Sequence, residues 1–357
     1  MQVAPAATRR LTRIVDWLQY VAGPVSAVSY VGWTGHLNLG DEILFEAARE
    51  CFKPTPIVSD PLLGRPMFKR MTDRKRHLVA ILGGGTLIGD HPPFERFKTE
   101  LKKAGGNGLV FGAGVSQYVL AGSVPTWLEQ WGELLRPLHY VGVRGPDSAT
   151  TLARVGVDAE ILGDPVCWFS QPQDFWVPRA NVLGLNVGQA QGAMFGDETT
   201  VQQGFSDYAR AMRQQGWAVE FFCVWPDDLA TTRKVAADAG IERPIIHCHY
   251  QGARAYLNRV RNLKLFVGIK LHAVALAMCA NVPALMVEYR PKCLEFMNTL
   301  GMGRFVRRSD QMSLPDLIAL TATLDAEGAA ISVSIRAAMR PIQGRLHALH
   351  LPGALRR

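Results

Sequence analysis

The chain has no CxxC pair. Its six cysteines, at 51, 167, 223, 248, 279 and 293, stand far apart and mostly inside apolar runs. That excludes a zinc ribbon or a disulfide framework and reads as free thiols of a reducing compartment. No uninterrupted apolar run reaches the roughly 18 residues of a transmembrane helix. Arg13 and Asp16 interrupt the only N-terminal stretch that resembles a secretion signal. Basic residues do not form one long run, and no helix-turn-helix, zinc-finger or RNP pattern accompanies them, so nucleic acid is not an expected partner. No short-period repeat is present. These absences point to a cytoplasmic globular protein.

What is there is a long, well-packed composition. The 357 residues are 48% hydrophobic and 20% charged, with a net charge of +8. Length alone favours two domains, because one hydrophobic core stops growing at roughly 250–300 residues. The positive balance suits an anionic substrate. Residues 9–22 carry Leu11, Ile14, Val15, Leu18 and Val21 at helical spacing beside Arg9, Arg10 and Arg13. They predict a packed helix whose basic face permits a peripheral membrane contact, at the inner face of the membrane.

Strands and helices then alternate. Expected strands are 26–32, 55–59, 77–82, 108–112, 138–143 and 159–162, with helices over 42–51, 95–104 and 125–135. After a proline-bearing linker at 171–180, a second series follows at 182–187, 218–224, 244–247, 264–268 and 284–288. Near-continuous apolar strands alternating with helices predict parallel sheets covered on both faces. The expected fold class is α/β, with two Rossmann-like domains facing a cleft (residues 1–175 and 176–357) and a C-terminal helical tail from 313 to 350. Ligands in such sheets bind beyond the carboxyl ends of the strands.

The polar motifs fall at those ends. GWTGHLNLGDE at 32–42 follows the first strand and matches neither the GxGxxG dinucleotide fingerprint nor the GxxxxGK[ST] phosphate loop. Its Asp41 would serve as a plain helix cap or as a site residue. Gly83-Gly84-Gly85 and Gly112-Ala113-Gly114 repeat a glycine loop along one sheet edge. Arg144 follows a strand directly, where its planar fork could grip a carboxylate or phosphate or make a salt bridge with Asp147. Lys270 and His272 join a strand to an alanine-rich helix, placing a cation, a titratable ring and a helix N-terminus together. His247-Cys248-His249 has the wrong spacing for ligands on one face, and no metal is expected.

Taken in order, these segments resemble the polysaccharide pyruvyl transferase family over roughly residues 28–300. The likeness rests on GWTGHLNLGDE, ILGGGTLIGD, FGAGVSQ, the Arg144-to-Gly156 pattern, LGDP at 162–165, GLNVG at 184–188, and KLHA with the following NVPA and YRPK. The resemblance implies a GT-B-like transferase of exopolysaccharide biosynthesis. It would move a pyruvyl group from phosphoenolpyruvate, as co-substrate and without another cofactor, to a saccharide acceptor, lipid- or nucleotide-linked, forming a cyclic ketal.

It implies His272 as general acid/base, and a donor set of Arg144, Lys270, Leu271, Ser148 and Lys292 for phosphoenolpyruvate. Asn38, Asp41, Glu42, Gly84, Gly85 and Asn186 form the acceptor and cleft set. The first domain would be the acceptor side and the second the donor side. Two positions depart from the family: Lys270 stands where arginine is usual, and Gly145 where aspartate is usual. Lysine keeps the charge but lacks the bidentate fork. Other readings of the same architecture are a nucleotide-sugar glycosyltransferase and a non-catalytic glycan-binding protein.

Overall fold

The computed structural model describes residues 28–59, 78–116, 124–171, 180–190 and 192–351. The expected helix at 9–22 and nearly all of the 171–180 linker lie outside them. By their contacts the residues fall into two compact units. Of the described residues, the first holds 28–36, 41–59, 78–116, 124–165 and 344–351. The second holds Leu37–Gly40 and Val166–Gln343. The division thus falls at Pro165/Val166, earlier in the chain than the 175 expected from the proline-bearing linker.

In the first unit, strands β1 (Val28–Val31), β2 (Ile57–Ser59), β3 (Val79–Leu82), β5 (Gly108–Val115), β6 (Tyr140–Val143) and β7 (Glu160–Ile161) lie in the order β2-β1-β3-β5-β6-β7. A further strand, β4 (Gly85–Ile88), pairs with the far end of β5, and every pairing is parallel. Helices α1 (Leu39–Cys51), α2 (Pro93–Lys103), α3 (Thr126–Leu135) and α4 (Pro146–Ala153) complete it. The VSYV, VAIL and GLVFGAGV strands are buried at every position, which is why they read as unbroken apolar runs. Trp131 of α3 anchors this core, with its ring edge against Phe94 and its indole N–H donating to the Gly89 carbonyl at 3.0 Å. Truncating such a ring typically costs about 3–5 kcal/mol.

Two features differ from expectation. Strand β5 continues to Val115 because Gly112, at φ 70°, takes up a bulge where the β5–β6 register skips from Phe111 to Ala113. That extension supplies the edge on which β4 forms, directly after the glycines that read as a loop.

The second unit has six parallel strands: β8 (Val182–Asn186), β9 (Ala218–Cys223), β10 (Ile245–Cys248), β11 (Leu265–Gly268), β12 (Ala284–Glu288) and β13 (Val306–Arg308). Their order, β10-β9-β8-β11-β12-β13, is the 3-2-1-4-5-6 Rossmann arrangement. Helices α5 (Glu198–Gln214), α6 (Leu229–Asp238), α7 (Ala253–Val260), α8 (Leu271–Cys279) and α9 (Pro291–Thr299) connect them. The expected helical tail is present as α10 (Leu314–Ala326) and α11 (Gly328–Ala348). Asp197 caps α5 by accepting the Thr200 N–H at 2.8 Å, and Ser313 caps α10. Helix α8 is apolar all round and buried from Ala273 to Cys279, and His272 in its first turn is its one residue that is not buried.

The order reverses between β8 and β11 in the second unit and between β1 and β3 in the first. Those two switch points are where such sheets open a crevice beyond their strand ends. Among the described residues no single helix is long and apolar enough to cross a membrane.

Candidate functional site

At the β8/β11 switch point, Asn186 ends β8 fully buried and brackets three strands. Its side-chain amide donates to the Phe222 carbonyl of β9 at 2.8 Å, and its Oδ1 accepts the Lys270 N–H at 2.9 Å. The backbone entering α8 is therefore fixed. Lys270 is the N-cap of α8, so Leu271 and His272 occupy its first two positions. Leading N–H groups of a helix lack intrahelical acceptors, and the dipole there favours an anion.

The Lys270 ammonium is held in place. It lies 3.3 Å from Oδ1 of the buried Asp228, donates to the Gln189 carbonyl, and sits over the Trp225 ring at 5.3 Å. Asp228 Oδ1 also accepts the Gln189 N–H at 2.8 Å. Gly188 forms the floor of this pair, since a Cβ there would fall 2.2 Å from Lys270 Cε. Burial pushes the Asp228 carboxyl above its ordinary value, with the Lys270 charge opposing.

His272 is half-buried one residue beyond Leu271. Gly40, counted with this unit by its contacts, backs directly onto it: a Cβ at Gly40 would meet Nδ1 at 2.3 Å. Leu39, beside it, donates its N–H to the Val224 carbonyl at 2.9 Å. Asn38 Oδ1 accepts the Gly40 N–H at 3.1 Å. Helix α1 begins at Leu39, earlier than expected, so Asn38 is the cap that the sequence reading offered to Asp41.

Past β12, Tyr289 is ringed by cations. Lys292 lies 5.0 Å from its ring centre, Arg290 5.5 Å and Lys270 5.9 Å. Arg290 also donates to the carbonyls of Ala193 and Ala190, bracing the loop after β8. Two lysines and an arginine around one buried aromatic ring concentrate positive charge in a partly dry setting.

In the first unit, Asp41 and Glu42 fall in the first turn of α1, as charge complementarity to its N-terminus requires. Glu42 Oε1 accepts the Gly35 N–H at 2.6 Å and closes the 35–42 loop. The loop lifts Trp33 into solvent at 41% exposure, stacked on His36 with ring centres 4.6 Å apart. In β1, burial, followed by the Asp41 charge, drives the Tyr30 hydroxyl far above its ordinary pKa. Gly84 lets Leu44 of α1 pack close, and Gly85 takes φ 99° to start β4. Arg144 is 1% exposed with its guanidinium flat against Gly114, and Ser148 Oγ accepts the Val115 N–H at 3.1 Å. Both brace the bulged end of β5.

The expected donor residues thus divide. Lys270, Leu271 and Lys292 belong to the second unit with His272 and Asn186, whereas Arg144 and Ser148 belong to the first with Asp41, Glu42, Gly84 and Gly85. Of the acceptor set, Asn38 is counted with the second unit. Sequence reasoning missed Asp228 and Trp225. Trp225-Pro226-Asp227-Asp228, directly after a strand, was the available signal. It also passed over Trp33, the aromatic residue of the first motif. Among the described residues no cluster of His, Cys, Asp or Glu is arranged to hold a metal.

Two parallel α/β units, each with a polar switch point, make up a GT-B-like fold. Solved structures share it. Matching 90% of this chain are the UDP-bound MnaA of S. aureus (11% identity, TM-score 0.58, 94% of that chain), the UDP-GlcNAc 2-epimerase of Methanocaldococcus jannaschii (11%, 0.53, 100%) and that of Neisseria meningitidis bound to UDP-GlcNAc (10%, 0.50, 99%). Identities this low speak for the fold alone. No curated protein sequence matches the chain. The family model for polysaccharide pyruvyl transferase matches residues 38–291, well over half the chain, and the chain belongs to that family.

Proposed function

We propose that this transferase moves a pyruvyl group from phosphoenolpyruvate to two hydroxyls of one saccharide, closing a cyclic ketal. The observation that carries the reading is His272 at the second position of α8. There a proton donor, a helix N-terminus and the cations around Tyr289 share the switch point of a Rossmann-ordered sheet. Phosphoenolpyruvate offers a carboxylate and a phosphate to such a site. The first turn of α8 and Lys292 are assigned to these anions, while Lys270, balanced by Asp228, sets the position of that turn.

His272 delivers a proton to the methylene carbon, the enol π pair forming the new C–H bond. The first sugar hydroxyl adds to the resulting oxocarbenium-like C2 and gives up its proton. The C–O bond to phosphorus's bridging oxygen then breaks and inorganic phosphate leaves. A second hydroxyl adds to the same carbon and loses its proton, closing the ring. No metal or further cofactor enters this scheme. The exposed Trp33 face is assigned to the acceptor, because a sugar ring packs its C–H face on an indole. The acceptor itself is assigned as a cytoplasmic precursor, lipid- or nucleotide-linked, met at the inner membrane face.

The test incubates the protein with phosphoenolpyruvate and a panel of such saccharides. The expected product has gained pyruvic acid less one water, with stoichiometric phosphate release. Absence of transfer, together with thermal stabilisation by UDP and not by phosphoenolpyruvate, would replace this reading with a nucleotide-sugar reaction.

A further inference from the structure

Cys223 ends β9 and Cys248 ends β10, and the two are register partners in adjacent parallel strands. Neighbouring strands run roughly 4.7–4.9 Å apart. That spacing lies inside the Cα separation a disulfide accepts, about 4.4–6.8 Å. As register partners on adjacent strands, the two side chains share one face of the sheet. Their environments differ. Cys223 is buried, its Sγ donating to the Trp225 carbonyl at 3.1 Å, with the Tyr250 hydroxyl 3.9 Å away. Cys248 is exposed on the edge strand. The neighbouring Cys223 thiol, then Tyr250 and the charge of Arg233, lower the Cys248 thiol to about 6, while burial opposes. The same pairing, and burial after it, push Cys223 upward. An exposed thiolate beside a protonated partner is the arrangement of an attacking and a resolving cysteine.

The geometry points to a redox-modifiable dithiol: we propose that Cys248 and Cys223 close reversibly into a cross-strand disulfide. Closure would release the residues after β9 that hold Lys270. A low-molecular-weight disulfide serves as oxidant. The Cys248 thiolate attacks one of its sulfurs, forming a mixed disulfide and expelling one thiolate. Cys223 then loses its proton and attacks the Cys248 sulfur, expelling the second thiolate. Two protein thiols are oxidised and one external disulfide is reduced to two thiols.

The structural consequence lies next door. Closure removes the Cys223 S–H that holds the Trp225 carbonyl. Val224 anchors Leu39, Trp225 covers the Lys270 ammonium, and Asp228 pairs with it. The dithiol stands whatever reaction the enzyme performs, so its test uses no substrate.

The full-length protein is treated with oxidised glutathione, remaining thiols are alkylated, and peptides are mapped by mass without reduction. The expected result is a single Cys223–Cys248 cross-link, two hydrogens lighter than the dithiol and reversed by dithiothreitol. In Cys223→Ser the reaction is expected to stop at a glutathione adduct on Cys248, and in Cys248→Ser neither product forms. Wild-type protein that stops at the adduct, or that links Cys248 to any other cysteine, overturns the proposal. Amide exchange across residues 224–229 reads the coupling: it should rise at least severalfold on oxidation, and unchanged exchange in cross-linked protein overturns that half.

Discussion

The Lys270 ammonium and the Asp228 carboxylate, 3.3 Å apart, hold the N-terminal turn of α8 to the loop after β9. The two partners are unequal. Asp228 is the more deeply buried, and burial outweighs the lysine in setting its proton affinity. Removing the lysine should therefore do more harm than neutralising the acid. Lys270→Met leaves a buried carboxyl without its counter-ion, at about 3 kcal/mol. Asp228→Asn keeps an acceptor for the Gln189 N–H, at about 1 kcal/mol. Urea midpoints of the two variants check the ranking, and equal losses would refute it.

The same carboxyl shapes the response to pH. Its folded-state pKa is raised, so the folded protein retains a proton that the unfolded chain gives up. The stability this contributes is fully present below the unfolded value of about 4. It is lost as pH rises through the folded value. Asp228→Asn should remove that decline, giving a midpoint profile above about pH 4 that is flatter than the parent's.

His272 and Gly40 give a paired prediction for catalysis. His272→Ala should reduce pyruvyl transfer by about 10²–10⁴-fold with little change in melting temperature. Gly40→Ala places a methyl 2.3 Å from where Nδ1 now sits, so the ring must move. A displacement near 1 Å can cost about 10²-fold in rate. Transfer by Gly40→Ala within about twofold of the parent would remove His272 from the chemistry as proposed.

Trp33 tests the acceptor assignment. Trp33→Ala should raise the saccharide KM by about tenfold, the equivalent of roughly 1.4 kcal/mol, and leave kcat and the phosphoenolpyruvate KM near their parent values. A fall in kcat alone would separate Trp33 from acceptor binding.

Gly114 tests the burial of Arg144. A Cβ there would lie 2.3 Å from Nη2 of a side chain that is 1% exposed. Gly114→Ala should destabilise the protein by about 1–3 kcal/mol, as overpacking does. A midpoint equal to the parent's would show that the guanidinium has room to swing aside.

Most of the sheet framework was legible in the sequence. Every expected strand is present, because strands buried on both faces need continuous apolar runs such as VAIL and LFV. The two unexpected strands lack that signature. Strand β4 begins at a glycine with φ 99°, and β13 reads Val306-Arg307-Arg308, two charged residues at a sheet edge. The start of α1 was placed late, since the Leu39-Gly40 pair looked like loop until Asn38 was seen to cap it.

The order of motifs along the chain was enough to reach the family, and residue type alone singled out His272 and Lys270 beside a helix start. What the ammonium touches was decided only by tertiary structure. Asp228 is separated from Lys270 by 42 positions, and β8 and β11 become neighbours only through the 3-2-1-4-5-6 strand order. The pairing of Cys223 with Cys248 has the same origin, since adjacent strands meet in register only once β9 and β10 have joined the sheet. Local sequence sets which groups are available, because backbone preference and apolar periodicity act over a few residues. Which charge neutralises which, and which thiol meets which, follows from burial and strand order, and those depend on the whole folded chain.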